Sequence, residues 1–187
     1  MDVALVITEL EPGGAERCLV KLALGLRQRG HCVRVVSIAP EPFNGRDELV
    51  IELRSNGIEP VFLDVNNCSE FFRAKRSLRV ILNKISPDIV QSFLFHANIL
   101  CGQVSKRCDF KLVSGLRVSE PRRLRQWMMR FHRSKFHKSV SVSDDVCSYA
   151  QRKLRFPLEM LTVIPNGIDL NSFSAITPAS ASDLQFD

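Results

Sequence analysis

The sequence predicts an α/β fold, a doubly wound and mainly parallel sheet with helices on both faces. Two observations carry this. Short apolar runs rich in β-branched residues alternate about six times with amphipathic helical stretches, and such alternation joins parallel strands by right-handed crossovers. The opening run Val3-Ala4-Leu5-Val6-Ile7 lacks polar alternation, as suits a strand covered on both faces. The chain's 187 residues are enough for one domain with a substantial core.

The first strand ends in Glu11-Pro12-Gly13-Gly14. A helix from Ala15 to Arg29 follows, with Leu19, Leu22, Ala23 and Leu26 at helical spacing and Gly30 at the capping position. A strand that enters a helix through two glycines turns free N–H groups, and the positive end of the helix dipole, toward whatever lies above the sheet. That favours phosphate, although a plain tight turn accounts for the same residues. The dinucleotide fingerprint is absent. There is no third glycine, and the second strand ends Ser37-Ile38-Ala39-Pro40 with no acid for a ribose.

Cys32–Ile38 reads as the second strand and 39–46 as a loop. Asp47 is expected to cap a helix reaching Asn56, with Gly57 ending it. Ile58–Asp64 is the third strand, placed at a sheet edge by Pro60. Asn66–Ser69 is a turn, and Phe71–Ile85 a basic amphipathic helix with Phe72, Leu78, Ile81, Leu82 and Ile85 facing the core. Then come a strand at Ile89–Phe93, a helix from about His96 to Lys106, and a strand at Phe110–Ser114 with Gly115 opening the next loop. Pro121 suits the first turn of a helix reaching about Phe136. A strand at Ser139–Val142, a helix capped by Ser143 or Asp144 and ending near Leu154, and a strand at Leu161–Ile164 complete the domain, 1–173. Residues 174–187, rich in Ser, Ala, Thr and Asp, read as a tail or linker.

The net charge of +6 is concentrated. Between Arg117 and Lys138 eight Lys/Arg face one acid, Glu120, so that window carries +7 and the rest about −1. Within it Leu124, Trp127, Met128 and Phe131 form a helical stripe flanked by arginines. The stripe packs into the core, or it meets anionic lipid headgroups. Nucleic acid is not expected: one Trp and one Tyr provide no stacking platform. The six cysteines are scattered with no Cys-x-x-Cys pair, which suits reduced, buried thiols in a cytoplasmic protein. No apolar run approaches the ~20 residues of a membrane span, and the start shows no signal peptide.

Three stretches in order resemble the N-terminal domain of GT-B glycosyltransferases of family 4 (group 1), whose fold is Rossmann-like. They are Pro12-Gly13-Gly14-Ala15-Glu16-Arg17 with Leu22-Ala23 to Gly30-His31; Pro87-Asp88-Ile89-Val90-Gln91-Ser92 with His96 and Asn98; and Val140-Ser141-Val142-Ser143 with Val163-Ile164-Pro165-Asn166-Gly167-Ile168-Asp169. The resemblance implies a retaining transferase that moves a sugar from a nucleotide-diphosphate sugar to a glycan or lipid-linked acceptor, as in polysaccharide or lipopolysaccharide biosynthesis. It implies no cofactor and no metal, and a cytoplasmic enzyme, peripheral on the inner membrane face if Pro121–Lys138 touches lipid. The family's second, donor-binding domain would begin near Pro165-Asn166-Gly167, about twenty residues before the last residue given, so these residues alone are expected to be inactive. A non-catalytic Rossmann-like module that binds a glycan, anionic lipid or partner subunit is the alternative.

The resemblance also implies roles. Gly13 and especially Gly14 would bring backbone N–H groups to the donor diphosphate, with Asn166 and Gly167 completing the donor side. Family members often carry a histidine at the end of the fifth strand, where this chain has Ser114-Gly115-Leu116-Arg117. Arg117 would replace it by pairing with an oxyanion, unless it is a solvated surface residue. His96 would contact sugar hydroxyls or acceptor, unless it is a structural helix-start histidine. The family lets the donor's own phosphate receive the acceptor proton, so no general base is required. Glu16 is read as a complement to the helix dipole, and Ser143 and Asp144 as caps.

Overall fold

The computed structural model describes residues 1–167. The expected tail, 174–187, and the end of the expected domain, 168–173, lie outside the described residues. Seven strands form one sheet: β1 (Asp2–Ile7), β2 (Cys32–Ser37), β3 (Val61–Phe62), β4 (Ile89–Phe93), β5 (Lys111–Leu116), β6 (Lys138–Ser141) and β7 (Leu161–Val163). Their spatial order is β3-β2-β1-β4-β5-β6-β7, and every pairing is parallel. The helices are α1 (Gly14–Gln28), α2 (Glu48–Ser55), α3 (Phe71–Ile85), α4 (Leu94–Val104), α5 (Arg123–His132) and α6 (Asp144–Leu154). The chain therefore folds as the predicted doubly wound, Rossmann-like sheet.

The pleat divides the core in two. Val3, Leu5 and Ile7 point to one face, where Leu19, Val20 and Ala23 of α1 and Leu49, Val50 and Leu53 of α2 cover them. Ala4 and Val6 point to the other, beneath α3, α4, α5 and α6. The central strand is thus buried on both sides, as its unbroken apolar run requires. α4 is buried nearly all round, with Ala97, Asn98, Ile99, Leu100, Cys101, Gly102 and Val104 inside, because α3 and α5 flank it. No helix among the described residues is long and apolar enough to cross a membrane.

Several local expectations need correction. β3 is at the edge, as Pro60 suggested, but only two residues long. Asp47 occupies the residue before α2 without a side-chain capping bond. Pro121 precedes α5 and takes no part in its first turn. Gly115 lies inside β5, paired with Phe93 and Val140, where a Cβ would come within 3.1 Å of the Ser92 carbonyl oxygen; it allows close packing and does not open a loop. Phe72 is 82% exposed, since Phe71, Ala74, Leu78, Ile81 and Leu82 form the inward face of α3 and Phe72 is one residue round from it. Cys101 is buried, but Cys32 is exposed. Cys18, Cys32, Cys101, Cys108 and Cys147 are free thiols.

Candidate functional site

In an open parallel sheet the groove over the carboxyl ends of the strands, at the point where strand order reverses, is the natural ligand site. Here that point lies between β1 and β4. Polar groups left without partners collect along the same edge. Among the described residues three buried side-chain polar atoms lack a hydrogen bond, and they belong to Thr8 after β1, Arg117 after β5 and Ser141 at the end of β6. Buried polar atoms are normally paired, so such a cluster marks an edge built to meet something else. Leu94, which joins β4 to α4, has φ 69°, in the left-handed region. A bulky residue there costs about 1–3 kcal/mol, strain of a kind that gathers at functional sites.

The glycine loop opens α1. Gly13 is extended, at φ −157° and ψ 172°, and makes no side-chain cap. The first N–H groups of a helix have no intrahelical partner. Glu16 uses part of that vacancy: its carboxylate turns back toward its own amide and that of Ala15 and packs on Gly13. A Cβ on Gly13 would lie 2.3 Å from Glu16 Oε2, whereas one on Gly14 would meet nothing within 4 Å. The two glycines therefore differ. Gly13 accommodates an internal carboxylate, and Gly14 faces open space. The expectation that Glu16 merely complements the dipole is too simple. It is a buried residue, and burial, reinforced by Glu9, raises its carboxyl above the ordinary range against the opposing pull of the two amides and Arg117.

Arg117 ties three elements together. Its guanidinium donates to Asn166 Oδ1 and to Cys18 Sγ of α1, and lies over the Phe93 ring, 4.9 Å from its centroid. It is half-buried, so the solvated surface reading does not describe it. The structure thus brings Gly14, Glu16, Cys18, Arg117 and Asn166 to one side of the groove. Gly167 adjoins Asn166 with open space at its Cα.

His96 belongs to a second group. It lies in the first turn of α4, packed edge-on against Phe95 at 5.3 Å. Desolvation, then the charge of Arg125, holds its pKa below 6.5 despite Glu120, so the ring is neutral at pH 7. Glu120 organises this side, a role the sequence showed only as an isolated acid. Its carboxylate accepts from the Arg122 amide and from Arg125, each at 3.0 Å; its carbonyl accepts from Gln126 Nε2 at 2.8 Å and the Tyr149 hydroxyl at 2.9 Å. Arg125 lies over Phe95, 4.9 Å from the ring centroid. A small crevice of about 50 Å³, lined by Phe95, Asn98, Arg117, Glu120 and Tyr149 among others, runs between the two groups.

Asn98 was legible only as part of a motif. It is buried, accepts from the Ser92 hydroxyl at 2.7 Å and donates to the Gly115 carbonyl at 3.2 Å, binding α4 to both β4 and β5. Ser143, read as a cap, accepts from the Val146 amide at 3.3 Å.

A family model described as Glycosyltransferase Family 4 matches residues 12–172. Among solved structures, a glycosyltransferase from Rickettsia africae ESF-5 aligns with TM-score 0.72 and 20% identity, covering 95% of this chain and 46% of that one. Anabaena Alr3699/HepE, solved in complex with UDP-glucose, aligns with TM-score 0.74 and 19% identity over 98% of this chain and 47% of that one. The lipopolysaccharide outer core galactosyltransferase WaaB, in its apo form, gives TM-score 0.71 and 13% identity over 90% and 46%. At such identities the likeness shows the fold, and this chain spans about half the length of each. No curated protein is a significant sequence match.

Proposed function

The chain belongs to glycosyltransferase family 4, and from that premise we propose that it forms the acceptor-side wall of a two-domain, retaining transferase that uses a nucleotide-diphosphate sugar. The observation that carries this is the open face of Gly14. It lies at the amino end of a 15-residue helix, over the strand-order reversal, on the same edge as Arg117. Helix amides and a guanidinium suit a diphosphate. HepE, solved in complex with UDP-glucose, supports a sugar nucleotide as donor class. Asn166 and Gly167 would complete the donor side. The neutral His96, packed on Phe95 of the crevice wall, can exchange hydrogen bonds with hydroxyls of the reacting sugar or of a glycan or lipid-linked acceptor.

The test is titration of the isotope-labelled chain with UDP- and GDP-sugars, followed by amide NMR. Shifts should centre on Gly13, Gly14 and Ala15 and extend to Arg117 and Asn166. In Gly14→Ala they should weaken about tenfold, the value of one charge-assisted bond, because the methyl would hold the diphosphate off an amide that alanine still carries, with no loss of thermal stability because the methyl meets no protein atom within 4 Å. Absence of shifts at Gly14 would overturn the reading and leave a non-catalytic binding module.

A further inference from the structure

The outer side of the α3–α4–α5 layer carries an unpartnered apolar and cationic surface. The sequence left two readings for the α5 stripe, and the structure decides against core packing for most of it. Leu124 is 70% exposed, Trp127 60% and Phe131 66%, while Met128, Met129 and His132 face inward. α5 turns this way because it packs on Gly102 of α4, where a Cβ would lie 3.2 Å from His132 Cδ2, and because His132 Nδ1 bonds the Met128 carbonyl at 2.9 Å. Trp127 and Phe131 stack on each other, 6.0 Å apart at 19°, and hold one apolar ridge.

Across α4, α3 exposes Phe72 and Val80. Phe72, Lys75, Arg76 and Arg79 line a groove of about 410 Å³ with Gln103 and Lys106. Charge pairing differs between the two faces of the sheet. On the α1–α2 side Arg17 pairs with Glu48, Arg46 with Glu11, and Arg54 with Glu41 and Glu59. Among the described residues no carboxylate pairs with Lys75, Arg76, Arg79, Lys106, Arg122, Arg123, Arg130 or Arg133.

We propose that this face docks on an anionic bilayer surface, with Leu124, Trp127 and Phe131 entering the headgroup region and the unpaired cations of α3 and α5 meeting lipid phosphates. Exposed apolar side chains set among uncompensated cations match an interface that is apolar beneath and negative above. The inference does not depend on transferase activity, and its test reads lipid binding alone.

Trp127 is the chain's single tryptophan, so it reports directly. Titration with phosphatidylglycerol-containing vesicles should shift its emission to the blue and sediment the chain; pure phosphatidylcholine vesicles should do neither. Leu124→Ser with Phe131→Ser should weaken partitioning at least about tenfold without lowering the melting temperature, because neither residue is in the core. Arg122→Gln with Arg123→Gln should weaken it about fivefold per charge and flatten its salt dependence. Two results would overturn the proposal: unchanged Trp127 emission with anionic vesicles, or a dimer in solution that the Leu124→Ser, Phe131→Ser variant dissociates, since a second copy would then cover the ridge.

Discussion

Gly13 and Gly14 look alike in sequence and serve different neighbours. The missing Cβ of Gly13 is filled from within by the Glu16 carboxylate; that of Gly14 opens outward. Glu16 then predicts a pH effect with a definite sign. Burial raises its carboxyl above 4.5, so the native state keeps a proton that the unfolded chain has released. The stability this group contributes is present below about pH 4.5 and declines as pH rises through the folded value. Relative to Glu16→Gln, wild type should therefore lose melting temperature as pH climbs through the carboxylate range, then level off at neutral pH. A difference independent of pH would show that the carboxyl is not shifted. Arg117 was legible as a basic residue near a strand end. Its contacts with Cys18, 99 positions away, and Asn166, 49 away, were not, since sequence carries no distance between loops.

Among the elements, α5 shows how a right helix can be assigned the wrong face. The spacing of Leu124, Trp127, Met128 and Phe131 is a sound amphipathic stripe. The inward face is nonetheless set by what α5 meets, namely Gly102 of α4, and the helix is rotated by about one residue from the sequence reading. α4 shows a dependence of another kind. Apolar nearly all round, it carries one buried amide that joins β4 and β5. Asn98→Ala should cost about 1–3 kcal/mol, because it leaves the Ser92 hydroxyl and Gly115 carbonyl short of partners. Denaturant unfolding checks this, and a midpoint within error of wild type would remove Asn98 from the architecture. A smaller change at the exposed Phe72 would provide the contrast.

For the molecule as a whole, the parallel sheet presents along its carboxyl edge an open glycine at a helix start, a guanidinium and unpartnered polar atoms. Its crevice of about 50 Å³ is too small to enclose a sugar nucleotide, against the ~300–1,000 Å³ of enclosed ligand sites. On the proposed reading, the isolated chain should show no sugar transfer with any nucleotide-sugar and acceptor pair, assayed by nucleotide release. Transfer by the same residues joined to a donor-binding domain should persist in EDTA. Turnover by the chain alone, or loss of transfer on chelation, would each break the reading.

The alternation of apolar strands and amphipathic helices was enough to establish the layer architecture, the parallel sheet and the edge position of β3, because burial periodicity and proline's missing donor are properties of local sequence. The same holds for the glycine loop and its place at a helix start. Which face α5 presents, which glycine is already occupied and which residues surround Arg117 were decided only when distant segments packed together. Those contacts depend on the distances and side-chain volumes that one helix or strand meets in another, and neither is written in the order of residues along either one.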